Sequence, residues 1–342
     1  MNKTLISGLL LAAALAVPFV VRAEMSVADA VAMARKKTLN FDSRGAVEIY
    51  DAILKEFPKE FPEIYLDRAS ALGMLEDWKG SIADYNKALS LDSGDPKKWR
   101  LYHPEIYEKR AESKHYSGDL KGAVADYGRA IELNPKSNFL YSHRAGIKVD
   151  LDDYAGALKD YSSAISIAEK PGQLDYQNRG IVRICLRDFP NALIDLQEAV
   201  KLARAETYST PSVRDQNLLI WHMLVRLGKK AEADGELAAL LASLKPDGDG
   251  RLNREIARYY LGQTEASVVL ATAEEYDKKS EEGPIESWRS VAYYFVGMKQ
   301  LLDGHKTEAL EYFRKSLKCR DAMSHMRELA LAEAKALAPK KR

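Results

Sequence analysis

The chain has 342 residues, with 51 lysines and arginines against 50 aspartates and glutamates, and a formal net charge of +1. This balance argues against a nucleic-acid partner, because proteins that bind DNA usually carry a basic excess. Glycine (20) and proline (12) are scarce, so the composition excludes collagen-like and largely disordered classes and favours an α-rich globular protein.

The N-terminal segment, 1–23, predicts a signal peptide. Lys3 precedes an apolar stretch from Leu5 to Val21, and Val21 and Ala23 stand at the two positions that a signal peptidase reads. The stretch is slightly shorter than the roughly 20 residues of a membrane-spanning helix, so an uncleaved anchor is the alternative. We expect cleavage after Ala23, export to the periplasm of a bacterium, and no membrane span after signal cleavage.

A repeated pattern with a period of about 34 residues follows along the chain. Each copy has a small residue in one predicted helix and an aromatic or leucine residue in the next, followed three residues later by alanine. Apolar residues between the regularly spaced prolines recur at the helical period, and no alternating strand pattern is present. The register is clearest in four copies, whose alanines are Ala88, Ala130, Ala164 and Ala199.

This pattern resembles the tetratricopeptide repeat, a helix–turn–helix unit of about 34 residues. The resemblance implies an all-α fold, an α-solenoid of about seven to eight antiparallel helix pairs after the signal peptide. Small residues such as Ala111 and Ala130 allow two helix backbones to approach, and Tyr127 fills the space beside them. The predicted array spans 24–247, with repeats near 27–60, 62–95, 104–137, 138–171, 173–206 and 214–247. A degenerate helix pair and linker at 248–287 and a last pair with a capping helix at 288–342 follow.

The C-terminal part has a second resemblance, to NlpI-type periplasmic adaptors. It rests on the segments Arg258–Gly262 and Ala292–Gly297. Those adaptors are lipoproteins, and this chain lacks their lipid-acceptor cysteine. The resemblance implies cell-envelope enzymes or assembly factors as partners.

Four consecutive repeats carry an arginine in the first predicted helix and, at one constant spacing, an aspartate in the second. We interpret each pair as a salt bridge from one helix to another, across a repeat or between repeats, that fixes how the repeats stack, because partly buried charges need partners. The alternative is an arginine that binds a ligand carboxylate through two hydrogen bonds. We predict arginine–carboxylate contacts for at least three of the four pairs. The pairs are Arg68 with Asp84, Arg110 with Asp126, Arg144 with Asp160, and Arg179 with Asp195.

The resemblance also implies a concave groove, lined by the first helix of each repeat, that binds a protein or peptide. The candidate groove residues are Glu105, Glu108, Glu112, His115, Phe139, Ser142, Leu174, Gln177 and Ile181. This surface changes from acidic to apolar along the chain and suits an amphipathic or extended peptide with a basic end. The alternatives are that Ile181 and Ile184 pack against neighbouring helices and that the glutamates form a solvated helix face.

The sequence carries no motif of a known catalytic site. It has no phosphate-binding glycine-rich loop, no Gly-x-Ser-x-Gly and no His-Glu-x-x-His, and its six histidines lack metal-ligand spacing. We therefore predict a non-enzymatic scaffold with no catalytic residues, no metal site and no cofactor. The alternative function is a structural module that forms a homodimer through Trp221, Tyr294, Phe295 and Leu301.

Overall fold

The computed structural model describes residues 26–59, 61–91, 103–205, 212–244, 250–279, 287–319 and 324–338. The predicted signal peptide, residues 1–23, lies outside these ranges. Every regular element within them is an α-helix, which confirms the predicted all-α fold. None of these helices combines the length and hydrophobicity of a membrane-spanning segment.

The described chain divides into two compact units, unit 1 ending at Leu151 and unit 2 beginning at Asp152. Unit 1 contains α1 (Val27–Leu39), α2 (Ser43–Glu56), α3 (Pro62–Met74), α4 (Trp78–Ser90), α5 (His103–Tyr116), α6 (Leu120–Leu133) and α7 (Asn138–Asp150). Unit 2 contains α8 (Tyr154–Ile167), α9 (Gln173–Cys185), α10 (Phe189–Ala205), α11 (Ser212–Arg226), α12 (Lys230–Ser243), α13 (Arg251–Tyr260), α14 (Ala266–Lys278), α15 (Ser287–Leu302), α16 (Lys306–Lys318) and α17 (Ser324–Leu337). The boundary between the units falls inside the predicted repeat 138–171, a division that the sequence pattern does not indicate.

Four second helices begin with the same capping arrangement. An aspartate at the N-cap accepts a hydrogen bond from the backbone N–H of a glycine three residues later, at 2.9 to 3.0 Å. Such caps satisfy an N–H group that has no partner within the helix. A β-carbon on any of these glycines would lie 2.0 to 2.5 Å from a carboxylate oxygen of its aspartate. The pairs are Asp42 with Gly45, Asp77 with Gly80, Asp119 with Gly122, and Asp153 with Gly156.

The cap predicts an unusual effect for Gly122→Ala. A glycine-to-alanine change inside a helix usually adds about 1 kcal/mol of stability. Here the new methyl group displaces the Asp119 carboxylate, and losing a cap costs about 1 kcal/mol, so we expect no net gain. Gly235→Ala in α12 is the matched control, because a β-carbon there meets no atom within 4 Å; it should show the full gain. Urea unfolding measures both variants, and equal gains would contradict the prediction.

The first helices of the pairs in unit 1 lie on the inner side of the stack. Helix α1 contacts α3, and α3 contacts α5, in addition to their contacts with the second helices. Ala69 packs with Tyr85 and Ile106, and Ala111 packs with residues of α6 and α7, so small side chains let the neighbouring helices approach. Side chains of α3 and α5 that point away from the second helices therefore share one inner face.

Unit 2 is packed more tightly on its inner side, where α11, α13 and α15 contact one another. The hydroxyl of Tyr260 donates to the backbone oxygen of Phe295 at 3.0 Å, so the Tyr260 oxygen accepts from Nε2 of His222. Burial lowers the pKa of His222 well below its ordinary value, and Arg226 lowers it further. The imidazole is therefore neutral. Its single N–H is on Nε2 and donates to Tyr260.

The predicted homodimer face is wrong as assigned. Trp221 is 2% exposed, and Tyr294 and Phe295 are fully buried, while Leu301 is partly buried against the same core. The Trp221 ring stacks on Tyr260 with the ring centroids 4.5 Å apart. These side chains form the interior of unit 2, so they are not available to a second copy of the chain.

Candidate functional site

Three of the predicted arginine–aspartate pairs are salt bridges between the two helices of a pair. In each one the guanidinium donates to both carboxylate oxygens, at 2.5 to 2.9 Å. Each arginine also lies over the tyrosine ring three residues before it, 5.3 to 5.6 Å from the ring centroid. The three pairs are Arg68 with Asp84, Arg110 with Asp126, and Arg179 with Asp195.

These contacts confirm the prediction for at least three of the four pairs. The bidentate face of each guanidinium is occupied by its aspartate, so it does not offer a fork for a ligand carboxylate. The fourth pair has one member in each unit, Arg144 in unit 1 and Asp160 in unit 2, and stays a prediction.

Helix α5 carries three glutamates on one side, which we call the acidic face: Glu105, Glu108 and Glu112. Their spacing of three and four residues places them on neighbouring turns of the helix. Glu105 is exposed, and Glu108 and Glu112 are half-buried. Burial is the largest cause of a raised pKa at Glu108; Lys109 opposes the rise, and the charges of Glu112 and Glu105 add to it. The acidic face is therefore a site of like-charge repulsion that a bound cation would relieve.

Two buried tyrosines of the second helices lie close to the acidic face. Burial is the main cause of the raised pKa of Tyr85, and Glu112 and Glu105 add to it. Burial also raises the pKa of Tyr127, where Glu112 and Glu108 contribute. Both tyrosines occupy the aromatic position of the repeat, which the sequence analysis assigned to packing alone. Their rings are neutral neighbours of the glutamates.

Helix α7 adds an aromatic edge. Phe139 is half-exposed, and its ring centroid lies 4.0 Å from that of His143. The His143 ring stacks on Tyr127 with the centroids 5.8 Å apart. Burial lowers the pKa of His143, although Glu112 acts in the opposite direction, so the ring is mainly neutral near pH 7. The sequence analysis did not select His143 as a groove residue.

Ser142 lies one residue before His143, and its hydroxyl oxygen is buried with no hydrogen-bond partner among the described residues. Buried polar atoms are usually paired in native proteins. This oxygen is therefore an unpaired polar atom beneath the surface, on the same helix as the aromatic edge.

Two of the predicted groove residues have side-chain partners. Glu112 accepts from Lys109 at 3.0 Å, and His115 pairs with Asp150 at 3.0 Å. The side chains of Lys109, His115 and Asp150 are more than a third exposed. Exposed pairs contribute only about 0 to 1 kcal/mol. A basic partner can therefore compete with Lys109 for Glu112.

The prediction is wrong for two residues of unit 2. Gln177 is 9% exposed, and its Oε1 accepts from Nε2 of Gln216 at 2.6 Å. Ile181 is 3% exposed and belongs to the hydrophobic core of unit 2, and Ile184 packs in the same way. Gln177 is thus covered by α11, and Ile181 shares its core with Met326, Leu329 and Ala330 of α17. Leu174, by contrast, is 58% exposed.

Apart from Leu174, the accessible part of the predicted surface thus lies in unit 1, and we call that part, with the buried residues beneath it, the unit 1 groove. It combines the acidic face with the aromatic edge and the two tyrosines beneath. Its residues are Tyr85, Glu105, Glu108, Glu112, Tyr127, Phe139, Ser142 and His143. Within the described residues, no group of three or more His, Cys, Asp or Glu side chains is arranged to hold a metal ion.

Comparisons with known proteins identify the repeat and the fold. Residues 104–137, which contain α5 and α6, match the tetratricopeptide repeat family. A tetratricopeptide repeat protein from Parabacteroides merdae is 16% identical over 80% of this chain and 98% of its own, with a TM-score of 0.54. The C-terminal part of a repeat-containing protein from Cytophaga hutchinsonii is 13% identical over 87% of this chain and 98% of its own, with a TM-score of 0.50. A sequence search of curated proteins gives no significant match. At these identities the structural similarity establishes a shared fold alone.

Proposed function

We propose that this tetratricopeptide-repeat protein is a non-enzymatic scaffold that binds a protein or peptide partner in the unit 1 groove. The observation that carries the proposal is the acidic face next to the aromatic edge of Phe139 and His143. Helical repeat proteins present extended inner surfaces of this kind to their partners. The acidic face can bind a positive charge of the partner, and the aromatic edge can bind an apolar side chain.

The partner that fits this groove is a segment with a basic part next to an apolar residue. Lysine or arginine side chains pair with Glu105, Glu108 and Glu112, and partial burial of Glu108 and Glu112 strengthens the attraction there relative to bulk water. An aromatic or aliphatic side chain packs against Phe139. Binding also relieves the repulsion that contributes to the raised pKa of Glu108.

Charge reversal at Glu108 tests the proposal. The probe is a fluorescent synthetic peptide with three lysines followed by leucine and phenylalanine. We expect Glu108→Lys to weaken binding about tenfold or more, equivalent to about 1.4 kcal/mol, because the cation meets a like charge in a partly buried position. Glu132→Lys is the matched control, since Glu132 is an exposed glutamate on α6 that pairs with Arg129; it should bind like the wild type.

Two outcomes would contradict this function. One is a wild-type protein that does not bind the peptide, and the other is an equal loss in the Glu108 and Glu132 variants.

The same peptide should also bind more weakly as the pH falls through the raised pKa of Glu108, since the protonated carboxyl carries no charge. A rising affinity at lower pH would exclude the glutamate as the recognition group.

We also propose that the scaffold acts after export, in the periplasm, with cell-envelope enzymes or assembly factors as partners. The support is the sequence itself, Lys3 followed by the apolar stretch Leu5–Val21 and the small residues before the expected cleavage site. The partner class rests on the resemblance of the C-terminal part to periplasmic adaptors.

A further inference from the structure

The last described helix, α17, packs onto the inner side of unit 2. It contacts α9 and α15 as well as its neighbour in sequence, α16. Glu333 of α17 is 1% exposed. One carboxylate oxygen accepts from Nη1 of Arg187 at 2.8 Å, and the other accepts from Nη2 of Arg226 at 2.7 Å. A single carboxylate therefore joins α17 to the ends of α9 and α11.

One face of α17 enters this side of unit 2. Met326, Leu329 and Ala330 are fully buried, and with Glu333 they follow the spacing i, i+3, i+4 and i+7. This is the pattern of an amphipathic helix that binds in a groove. The three apolar side chains belong to the same core as Ile181, which the sequence analysis placed in a binding groove.

The thiol of Cys185 lies at the end of α9, the helix that α17 contacts. Burial raises its pKa to about 12, and the charges of Glu328 and Glu333 on α17 add to the rise. The end of α9 thus faces α17 directly. The inner positions of unit 2 that would meet a ligand are covered by a helix of the chain itself.

The two arginines form a receptor for a carboxylate. Both guanidinium carbons lie over the ring of Phe189, at 4.9 Å for Arg187 and 4.7 Å for Arg226. The ring therefore contacts both cations and helps to hold them in place. Nε of Arg226 is buried and has no hydrogen-bond partner among the described residues. Removing the carboxylate would leave two cations close together without compensation.

We propose that the inner side of unit 2 is a second binding site, specific for an amphipathic helix with a carboxylate, and that α17 occupies it as a resident ligand. The partner helix carries apolar or small residues at i, i+3 and i+4 and a glutamate at i+7, and it displaces α17. In this exchange the partner's glutamate takes the place of Glu333 between the two arginines, so no buried cation is left without a counter-ion. The site is distinct from the unit 1 groove and does not depend on the function proposed for it.

A peptide of residues 324–338 with a fluorescent label is the probe for this site. In the full chain, Glu333→Lys brings a third cation to Arg187 and Arg226 and should release α17. We expect this variant to bind the peptide about tenfold more tightly than the wild type, because a resident helix reduces the fraction of open sites. Lys335→Glu is the matched control on the same helix, since its pair with Asp152 is half-exposed; it should bind as weakly as the wild type.

Specificity is tested with a peptide in which Glu333 is replaced by lysine, which should not bind the Glu333→Lys chain. The proposal is overturned if that chain keeps its helical circular dichroism and binds the original peptide no better than the wild type does. If the variant does not fold, hydrogen exchange of the wild type decides. Amides of α17 should exchange about tenfold faster than those of α15, since a displaceable helix opens locally. Equal protection of α15 and α17 would overturn the proposal.

Discussion

Replacing Asp126 by alanine should lower the free energy of unfolding by about 3 to 5 kcal/mol, the range for breaking a buried ion pair by removing one partner. The Asp126 side chain is 5% exposed, and it accepts from Arg110, whose side chain is 14% exposed. Lys114 contacts the same carboxylate at 2.8 Å. Without Asp126, two cations remain in a partly buried position with no counter-ion. Urea unfolding followed by circular dichroism measures the change.

Glu132→Ala is the control for this measurement. Glu132 pairs with Arg129 on the same helix, and both side chains are about 60% exposed. Exposed pairs contribute about 0 to 1 kcal/mol, so this variant should unfold almost like the wild type. If the two variants lose the same stability, the arginine–aspartate pairs are not what joins the helices of each repeat.

Replacing Ala130 by tryptophan should lower the free energy of unfolding by about 3 kcal/mol or more, at the upper end of the range for overpacking. Ala130 is fully buried in one core cluster with Ala111, Tyr127 and Leu140. These residues come from three consecutive helices, α5, α6 and α7. An indole at this position forces α6 away from its neighbours. Because a repeat protein is stabilised mainly by contacts between adjacent repeats, damage here should split the unfolding transition.

Arg129→Trp places the same side chain one residue earlier on α6. The Arg129 side chain is 60% exposed, so the indole there meets solvent, and the change should stay within about 0.5 kcal/mol. Thermal unfolding followed by circular dichroism compares the two variants. Equal melting curves would mean that the alanine is not at the contact between helices and that the predicted register is wrong.

The unit 1 groove could be predicted in part from the sequence. Glu105, Glu108 and Glu112 follow from their spacing on one helix, and Phe139 follows from its position in the repeat. The neutral state of His143 and the closeness of Tyr85 to the acidic face could not be predicted. Both depend on how α4, α5 and α7 pack, and a repeat pattern describes one helix pair at a time.

In unit 2, tertiary packing overrides the repeat pattern at two predicted groove positions. Gln177 and Ile181 correspond in the repeat to Glu108 and Glu112, which are half-buried, yet they are buried. The difference arises because Gln177 on α9 bonds to Gln216 on α11 and because α17 packs against α9 in unit 2. Small changes in the angle between successive repeats add up along a stack, and no local pattern in the sequence reports that sum.

The amino-acid sequence by itself determined the helical hairpins and the ion pairs within them. Arg110 and Asp126 lie on the two helices of one hairpin, α5 and α6, and their contact requires only that this hairpin forms. Only the tertiary structure decided that Glu333 would meet Arg187 and Arg226, which lie 146 and 107 residues away along the chain. The physical reason is the range of the contact: a hairpin depends on local periodicity and turns, whereas a distant pair depends on the accumulated geometry of every repeat between its members.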